Sequence, residues 1–311
     1  MSTGFFTHAA CARHAMGSGH PECPQRLAAI ADQLRACGLE TVLEHREAPQ
    51  ATIDDVALAH ERGHVLNLLD LLQRLKQEGQ TRAVDPDTWA CPDTLEAVLR
   101  ASGAAVAATD AVIDGELGNA FCAVRPPGHH AMRRQAMGFC FFNNVAIAAR
   151  HALDVRGLRR VAVVDFDVHH GNGTEDILAN DDRVLMVSFF QHPFYPFSGA
   201  DSKAKNMVNL PVPAFTQGGE VREMIRESWL PALERFKPQM IFVSAGFDAH
   251  REDDLGQLGL VETDYAWITE RVLEVADRHA QGRVVSVLEG GYNLSALARS
   301  VAAHVRSLAA G

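Results

Sequence analysis

The chain has 311 residues, of which 47% are hydrophobic, and its 39 acidic and 29 basic residues give a formal net charge of −10. This composition suffices for a large buried core, and the acidic balance argues against a nucleic-acid partner held on a basic surface, although it suits a cationic substrate. The six cysteines form no Cys-x-x-Cys pair, no apolar run reaches the ~20 residues of a membrane span, and the N-terminus lacks a signal-peptide pattern. We therefore expect a cytoplasmic protein without a membrane segment, and a single domain over residues 1–311.

Helical and strand-like segments alternate along the chain. Pro24 is suited to a first helical turn and Gly38 to a helix end, which predicts a helix between them. A second helix is expected from residue 93, and Thr263 is a candidate cap for a third. The predicted helices are 24–37, 93–113, 265–280 and 293–310.

Five short segments between the helices are almost continuously hydrophobic, which is typical of strands buried on both faces. They are 120–124, 160–168, 183–190, 240–245 and 283–288. Strands that alternate with helices indicate a mostly parallel sheet with helices on both faces, in the α/β class.

Polar motifs follow four of these strands directly. They are RPPGHH (125–130), HHGNG (169–173), GFDAH (246–250) and EGGYN (289–293). Because ligands of open α/β sheets bind beyond the carboxyl ends of the strands, we expect the four motifs to converge on one site.

Three residues in these motifs are candidate metal ligands. Asp167 and His169 are two positions apart at a strand end, so one ion can meet both side chains. Asp248 supplies a second carboxylate from another strand exit. An isolated Asp-x-His is more often a helix cap or a surface pair. One imidazole and two carboxylates, however, leave an open position of the kind that a catalytic zinc ion needs.

The motifs RPPGHH, GFCFFNN, DFDVHHGNG, SAGFDAH and LEGGYN occur in the order found in the arginase–deacetylase superfamily. The sequence resembles the histone deacetylase family, in particular class II-type and bacterial deacetylase-like proteins, from GHPECPQR (19–26) to LEGGYN (288–293). This resemblance implies a single α/β domain with an eight-stranded parallel sheet. It also implies that Asp167, His169 and Asp248 bind one zinc ion.

The two-manganese ureohydrolases of the same superfamily are the rival enzyme class. Their second metal needs a carboxylate two residues beyond the motif histidine, where this chain has Gly171, and an aspartate at the position of His250. The sequence therefore favours a single metal site.

The resemblance also assigns catalytic roles. It implies that His130 is the general base, that His129 is its electrostatic neighbour oriented by Asp165, and that Tyr292 donates a hydrogen bond to the developing oxyanion. Some relatives carry histidine in place of this tyrosine and are nearly inert, so Tyr292 favours an enzyme over the alternative of a non-catalytic acyl-lysine binder.

The substrate and potassium sites are likewise implied by the family. Phe139 and Tyr195 match the aromatic walls of a substrate tunnel, and the carbonyl of Gly138 is expected to accept the substrate amide N–H. Leu255 stands where polyamine deacetylases of one subgroup carry a glutamate gate, which favours acyl-lysine in a peptide or protein over acetylated polyamines. A potassium ion is expected beside the zinc. Its predicted ligand residues are Asp165, Asp167, His169 and Ser188.

Two departures from the family pattern bear on this site. Asn172 stands where some relatives pair an aspartate with the general base. The segment 252–255 reads Glu-Asp-Asp-Leu instead of Asp-Asp-Pro-Leu, which predicts a looser loop beside the tunnel.

Overall fold

A computed structural model describes residues 2–311, and it is built around one large parallel sheet. The strands are β1 (Thr3–Thr7), β2 (Leu43–Glu47), β3 (Arg82–Ala83), β4 (Trp89–Ala90), β5 (Asn119–Cys122), β6 (Val161–Asp165), β7 (Val184–Gln191), β8 (Met207–Val212), β9 (Ile241–Ala245) and β10 (Val284–Leu288). The helices are α1 (Ala9–Arg13), α2 (Gln25–Ala36), α3 (Ile53–Val56), α4 (Arg62–Glu78), α5 (Thr94–Ile113), α6 (Asn144–Arg150), α7 (Asn172–Leu178), α8 (Gly218–Met224), α9 (Leu230–Phe236), α10 (Glu262–His279) and α11 (Leu294–Ala310).

Eight strands form the sheet in the order β2-β1-β5-β10-β9-β6-β7-β8, and every neighbouring pair is parallel. The predicted α/β class with an eight-stranded parallel sheet is therefore confirmed. β3 and β4 form a separate antiparallel hairpin. The central strands β5, β6, β9 and β10 are buried along their whole length, as their continuous hydrophobic runs predict.

The element boundaries differ from the sequence predictions in two instructive places. β6 ends at Asp165, so residues 166–168 of the predicted strand belong to the loop that carries the polar motif. α10 begins at Glu262, and the side chain of Asp264 accepts the N–H of Val261, which gives this helix a cap that differs from the predicted Thr263. The hydrophobic runs of the sequence do not predict β1, β2, β8 or the short hairpin of β3 and β4.

The core is formed by the two faces of the sheet and the helices that cover them, with α11 packed against both α2 and α10. Among residues 2–311, no helix is long and apolar enough to cross a membrane.

Gly103 in the middle of α5 provides a test of this packing. A Cβ atom at Gly103 would lie 2.0 Å from the carbonyl oxygen of Pro49 and 2.7 Å from the amide nitrogen of Ala51. Alanine normally stabilises a helix by about 1 kcal/mol relative to glycine. Here we expect Gly103→Ala to lower the free energy of unfolding by roughly 1–3 kcal/mol, because backbone atoms cannot move aside cheaply.

Urea denaturation of the variant and of Gly63→Ala would measure this effect. Gly63 lies in α4, and the nearest atom to its added Cβ is a flexible Glu61 oxygen at 3.9 Å. The control should be as stable as the wild type or slightly more stable. Equal stabilisation by both substitutions would show that α5 is not packed as described.

Candidate metal and catalytic site

Asp167, His169 and Asp248 form a compact cluster beyond the carboxyl ends of β6 and β9. One ligand atom of each residue lies within 4.8 Å of the other two. His169 Nδ1 is 3.0 Å from Asp167 Oδ1 and 3.2 Å from Asp248 Oδ2. The structure thus brings together the three residues that the sequence predicts as metal ligands.

Backbone groups hold both carboxylates in place. The amide of Gly290 donates to Asp167 Oδ2 at 2.9 Å, and the amide of Val168 donates to Asp248 Oδ1 at 2.9 Å. A Cβ atom at Gly290 would lie 2.0 Å from Asp248 Oδ2, so only glycine allows this loop to approach the cluster. The two carboxylates are fully buried, and among the described residues Asp248 Oδ2 has no hydrogen-bond partner.

The cluster stabilises a positive charge. Burial disfavours the imidazolium, but the adjacent carboxylates of Asp167 and Asp248 outweigh it and raise the pKa of His169 to about 10. Burial, together with the Asp167 carboxylate, raises the pKa of Asp248 to about 7. Two buried carboxylates and one imidazole, with an oxygen left unpaired, fit a divalent cation that keeps an open coordination position.

The adjacent histidines 129 and 130 have different partners. His129 Nδ1 lies 3.0 Å from Asp165 Oδ2, as predicted. His130 Nδ1 lies 2.7 Å from Asn172 Oδ1, whose amide nitrogen faces the sulfur of Met137. Since the amide oxygen can only accept, the Nδ1 of His130 carries the proton and its Nε2 is left with a free lone pair.

These environments separate the protonation states of the two imidazoles. Burial opposes charge on His129, but the carboxylates of Asp167 and Asp165 outweigh it and raise its pKa well above the ordinary value. Burial and the charge of His129 lower the pKa of His130 well below the ordinary value. A charged imidazole beside a neutral one is the arrangement that an acid–base site requires.

The ring of Tyr292 is held by two contacts. It meets Phe139 edge to face at 5.8 Å, and the guanidinium of Arg26 lies 5.0 Å from its centroid. Arg26 also donates to the carbonyls of Gly291 and Glu289. Burial raises the pKa of Tyr292 well above its ordinary value, so the hydroxyl keeps its proton.

Asp253 connects the segment 252–255 to the loop that carries Tyr292. Asp253 is buried and accepts the amides of Tyr292 at 2.6 Å and Asn293 at 2.9 Å. Its other oxygen accepts the amide of Leu255. The aspartate thus ties the loop to Tyr292. Because Asp253 is present in both the Glu-Asp-Asp-Leu and the Asp-Asp-Pro-Leu pattern, the expected loosening of this loop stays a prediction.

A narrow cavity of about 220 Å³, here called the tunnel, leads to this cluster. It is lined by Asp87, His130, Gly138, Phe139, His169, Phe194, Tyr195, Leu255 and Tyr292. All four residues that the sequence assigns to substrate binding are thus in its walls.

Sequence reasoning missed three residues of the site. Asp87 accepts the amide of Gly138 at 3.0 Å, and Phe194 stacks on the His169 ring with centroids 5.5 Å apart. Glu289 is fully buried, and one of its oxygens accepts the amides of Gly128 and His129. Of these, only Glu289 lies in a motif at a strand exit, where it could have been found.

The predicted potassium site has part of its framework in the sheet. Asp165 and Ser188 are register partners across β6 and β7, and both are buried. The Ser188 hydroxyl donates to Asn209 Oδ1 at 3.0 Å. Potassium binding by these residues stays a prediction.

Comparisons with known proteins agree with this geometry. Residues 20–308 match the model of the histone deacetylase domain. The chain is 38% identical to the histone deacetylase-like amidohydrolase of Pseudomonas aeruginosa, over 94% of this chain and 82% of that one. It is also 38% identical to the mouse polyamine deacetylase HDAC10, over 92% of this chain and 44% of that one.

The crystal structure of the HDA15 HD domain superposes with a TM-score of 0.92 at 31% identity, covering 99% of this chain and 90% of that one. Fold and sequence together define a protein of the deacetylase class. More closely, the chain belongs to the histone deacetylase family.

The contact between His130 and Asn172 generates a testable prediction. Asn172→Asp places a negative charge 2.7 Å from His130 Nδ1, which favours the imidazolium, so the pKa of His130 should rise. An NMR titration of the histidine ring signals measures this directly. Asn172→Ala is the matched control, since it removes the partner without adding charge. A His130 pKa that is the same in the aspartate variant and the wild type would contradict the contact.

Proposed function

We propose that this chain is a zinc-dependent deacetylase that removes acetyl or acyl groups from the side-chain amine of lysine. The observation that carries the proposal is one constellation: the Asp167–His169–Asp248 cluster, with His130 and Tyr292 in the wall of the same narrow tunnel. A set of metal ligands, a base and a hydroxyl donor at one cavity are the groups that hydrolysis of an amide needs.

Asp167, His169 and Asp248 would hold the zinc ion, since their donor set matches those of catalytic zinc sites with one open position. A bound zinc ion supplies Lewis-acid activation of the amide carbonyl and of water. Asp165 and Ser188, with Asp167 and His169, would hold a potassium ion on the sheet side of the cluster.

His130 acts as the general base and then as the acid. Its Nδ1–H donates to Asn172, so the free Nε2 accepts a proton from water and returns it to the leaving amine. Its lowered pKa keeps it neutral before the reaction. His129, held by Asp165, stays charged and stabilises the negative charge that develops beside it.

The tunnel supports a lysine-like substrate. Phe139, Phe194 and Tyr195 present ring faces and edges that suit a linear aliphatic chain. The gate position is the apolar Leu255. Two of the three carboxylates before it are engaged elsewhere, because Glu252 pairs with Arg299 at 2.9 Å and Asp253 holds backbone amides, whereas Asp254 is exposed. Acyl-lysine is therefore the substrate class that we propose.

Acetylated polyamines are a second candidate, favoured by one observation. Asp87 is a carboxylate in the tunnel lining, and the bonds that it accepts from Gly138 and Thr88 use only its Oδ1 oxygen. Its Oδ2 can meet a second ammonium group of a polyamine. A relative at 38% identity is a polyamine deacetylase by name.

Tyr292→Phe tests the proposed reaction. The change removes one hydrogen-bond donor to the oxyanion and leaves the three metal ligands intact. The rate of acetyl-lysine hydrolysis should therefore fall roughly 10²–10³-fold with unchanged metal content. Tyr265→Phe is the matched control, because its buried hydroxyl lies outside the tunnel lining. Full activity of Tyr292→Phe would rule out this role of the hydroxyl. Absence of turnover by the metal-loaded wild type would favour a non-catalytic acyl-lysine binder.

The substrate class is decided by a panel of acetyl-lysine peptides, longer acyl-lysines, acetylputrescine and acetylspermidine. We expect the highest kcat/KM for an acyl-lysine. Leu255→Glu should shift the ratio towards acetylspermidine by about tenfold, the effect of one charge-assisted hydrogen bond of about 1.5 kcal/mol. Leu255→Gln is the uncharged control. Wild-type turnover of acetylpolyamines at least tenfold above every acyl-lysine, abolished by Asp87→Asn, would establish the second candidate instead.

A further inference from the structure

Two phenylalanines expose most of their side chains to solvent, whereas the other thirteen are buried or partly buried. The chain has 15 phenylalanines, and only Phe197 at 75% and Phe215 at 71% are among the exposed large hydrophobic residues. Both also have positive φ angles, 61° and 69°. A left-handed backbone is unfavourable for a bulky residue, and an exposed ring gains nothing from burial to offset that cost. Neither core packing nor backbone preference therefore explains them.

Phe197 belongs to the loop that forms one wall of the tunnel. It follows Tyr195 by two residues, and its amide donates to the carbonyl of Phe194 at 2.7 Å. The loop is fixed from behind, because Ser198 Oγ lies 2.8 Å from His170 Nδ1 in the metal-binding motif. The Phe197 ring is thus presented on a firmly held turn next to two tunnel residues.

Phe215 is fastened to the loop that carries Leu255. Its amide donates to the carbonyl of Gln257 at 2.7 Å. Gln257 in turn is bonded twice to Gln191, which directly precedes the Phe197 loop: the Gln257 amide donates to Gln191 Oε1 at 2.8 Å, and Gln191 Nε2 donates to Gln257 Oε1 at 3.0 Å. The loops of both exposed rings are therefore connected through Gln257, in the segment that follows the tunnel residue Leu255.

We propose that Phe197 and Phe215, here called the aromatic rim, bind apolar side chains that flank the acylated lysine in a polypeptide substrate. The proposal rests on the proposed function and extends it from the lysine to its neighbours. Continuity with the tunnel identifies the occupant, because a chain whose acyl-lysine fills the tunnel must leave it past the loops that carry these rings. A linear polyamine has no side chains to place there.

The test compares two acetyl-lysine peptides, one with phenylalanine and one with glycine on both sides of the lysine, and a capped single acetyl-lysine. Phe197→Asn and Phe215→Asn are the variants, alone and combined, since asparagine tolerates a left-handed backbone and should not impair folding. Val155→Ala is the control. Val155 is 57% exposed, but it precedes β6 and so lies at the amino ends of the strands, away from the tunnel at their carboxyl ends.

The wild type should prefer the phenylalanine-flanked peptide. The double variant should lose roughly tenfold or more in kcat/KM for that peptide, which corresponds to the loss of an apolar contact of about 1–3 kcal/mol. The loss should be in KM, because the contact is the same in the ground and transition states. Turnover of the glycine peptide and the capped lysine should be unchanged, as should all activities of Val155→Ala.

Equal wild-type kcat/KM for both peptides, or a loss in the double variant that is equal for all three substrates, would overturn the aromatic rim. So would sedimentation showing a wild-type dimer that the double variant abolishes, because the rings would then bind a second copy of the chain. These outcomes are distinct from failure of the proposed function, in which no acyl-lysine substrate is hydrolysed, including the capped one.

Discussion

The structure of the site depends on two buried carboxylates, of which Asp248 has one oxygen, Oδ2, that receives no hydrogen bond among the described residues. Asp167 and Asp248 lie beside one imidazole, and a buried carboxylate is stable only when it is paired. The loops around them have to pack closely enough to exclude water, which only glycine permits at residues 246 and 290: a Cβ atom at either position would lie 2.0 Å from a carboxylate oxygen. The burial of these two carboxylates thus explains both why the site favours a cation and why glycines are needed in the surrounding loops.

The same charges differentiate the histidine pair. His129 lies 3.0 Å from Asp165 and 3.7 Å from Asp167, and it takes up the proton that these carboxylates favour. His130, next in sequence, faces a neutral amide and stays neutral, with its single proton on Nδ1. Two identical side chains therefore acquire opposite protonation states from their partners alone, which is how one short motif can supply both a charge stabiliser and a base.

The central strands and the position of the site could be predicted from the sequence. Buried parallel strands are recognisable as continuous hydrophobic runs, and their carboxyl ends lie at the same side of the sheet. The missed strands lack that signal. β2 (LEHRE) is an edge strand with four polar residues in a row after its leucine, and β8 (MVNLPV) is a half-exposed edge strand that contains a proline. Asp87 lies on a short hairpin far from the motifs, so only tertiary structure brings it to the tunnel. The bonds that the Asp253 carboxylate forms to Tyr292 and Asn293 are likewise not visible in the composition, because they join residues 39 and 40 positions apart.

The central claim is that the cluster at residues 167, 169 and 248 binds one catalytic zinc ion. Elemental analysis of the purified protein, followed by zinc titration after chelation, tests it most directly. The account predicts about one zinc per chain for the wild type and for the control variant Asp254→Asn. Asp254 is an exposed aspartate six residues after Asp248. It predicts loss of tight zinc binding in Asp248→Asn, and loss of hydrolysis whenever zinc is removed. Tight zinc binding by Asp248→Asn, or full hydrolytic activity of the chelated wild type, would contradict it.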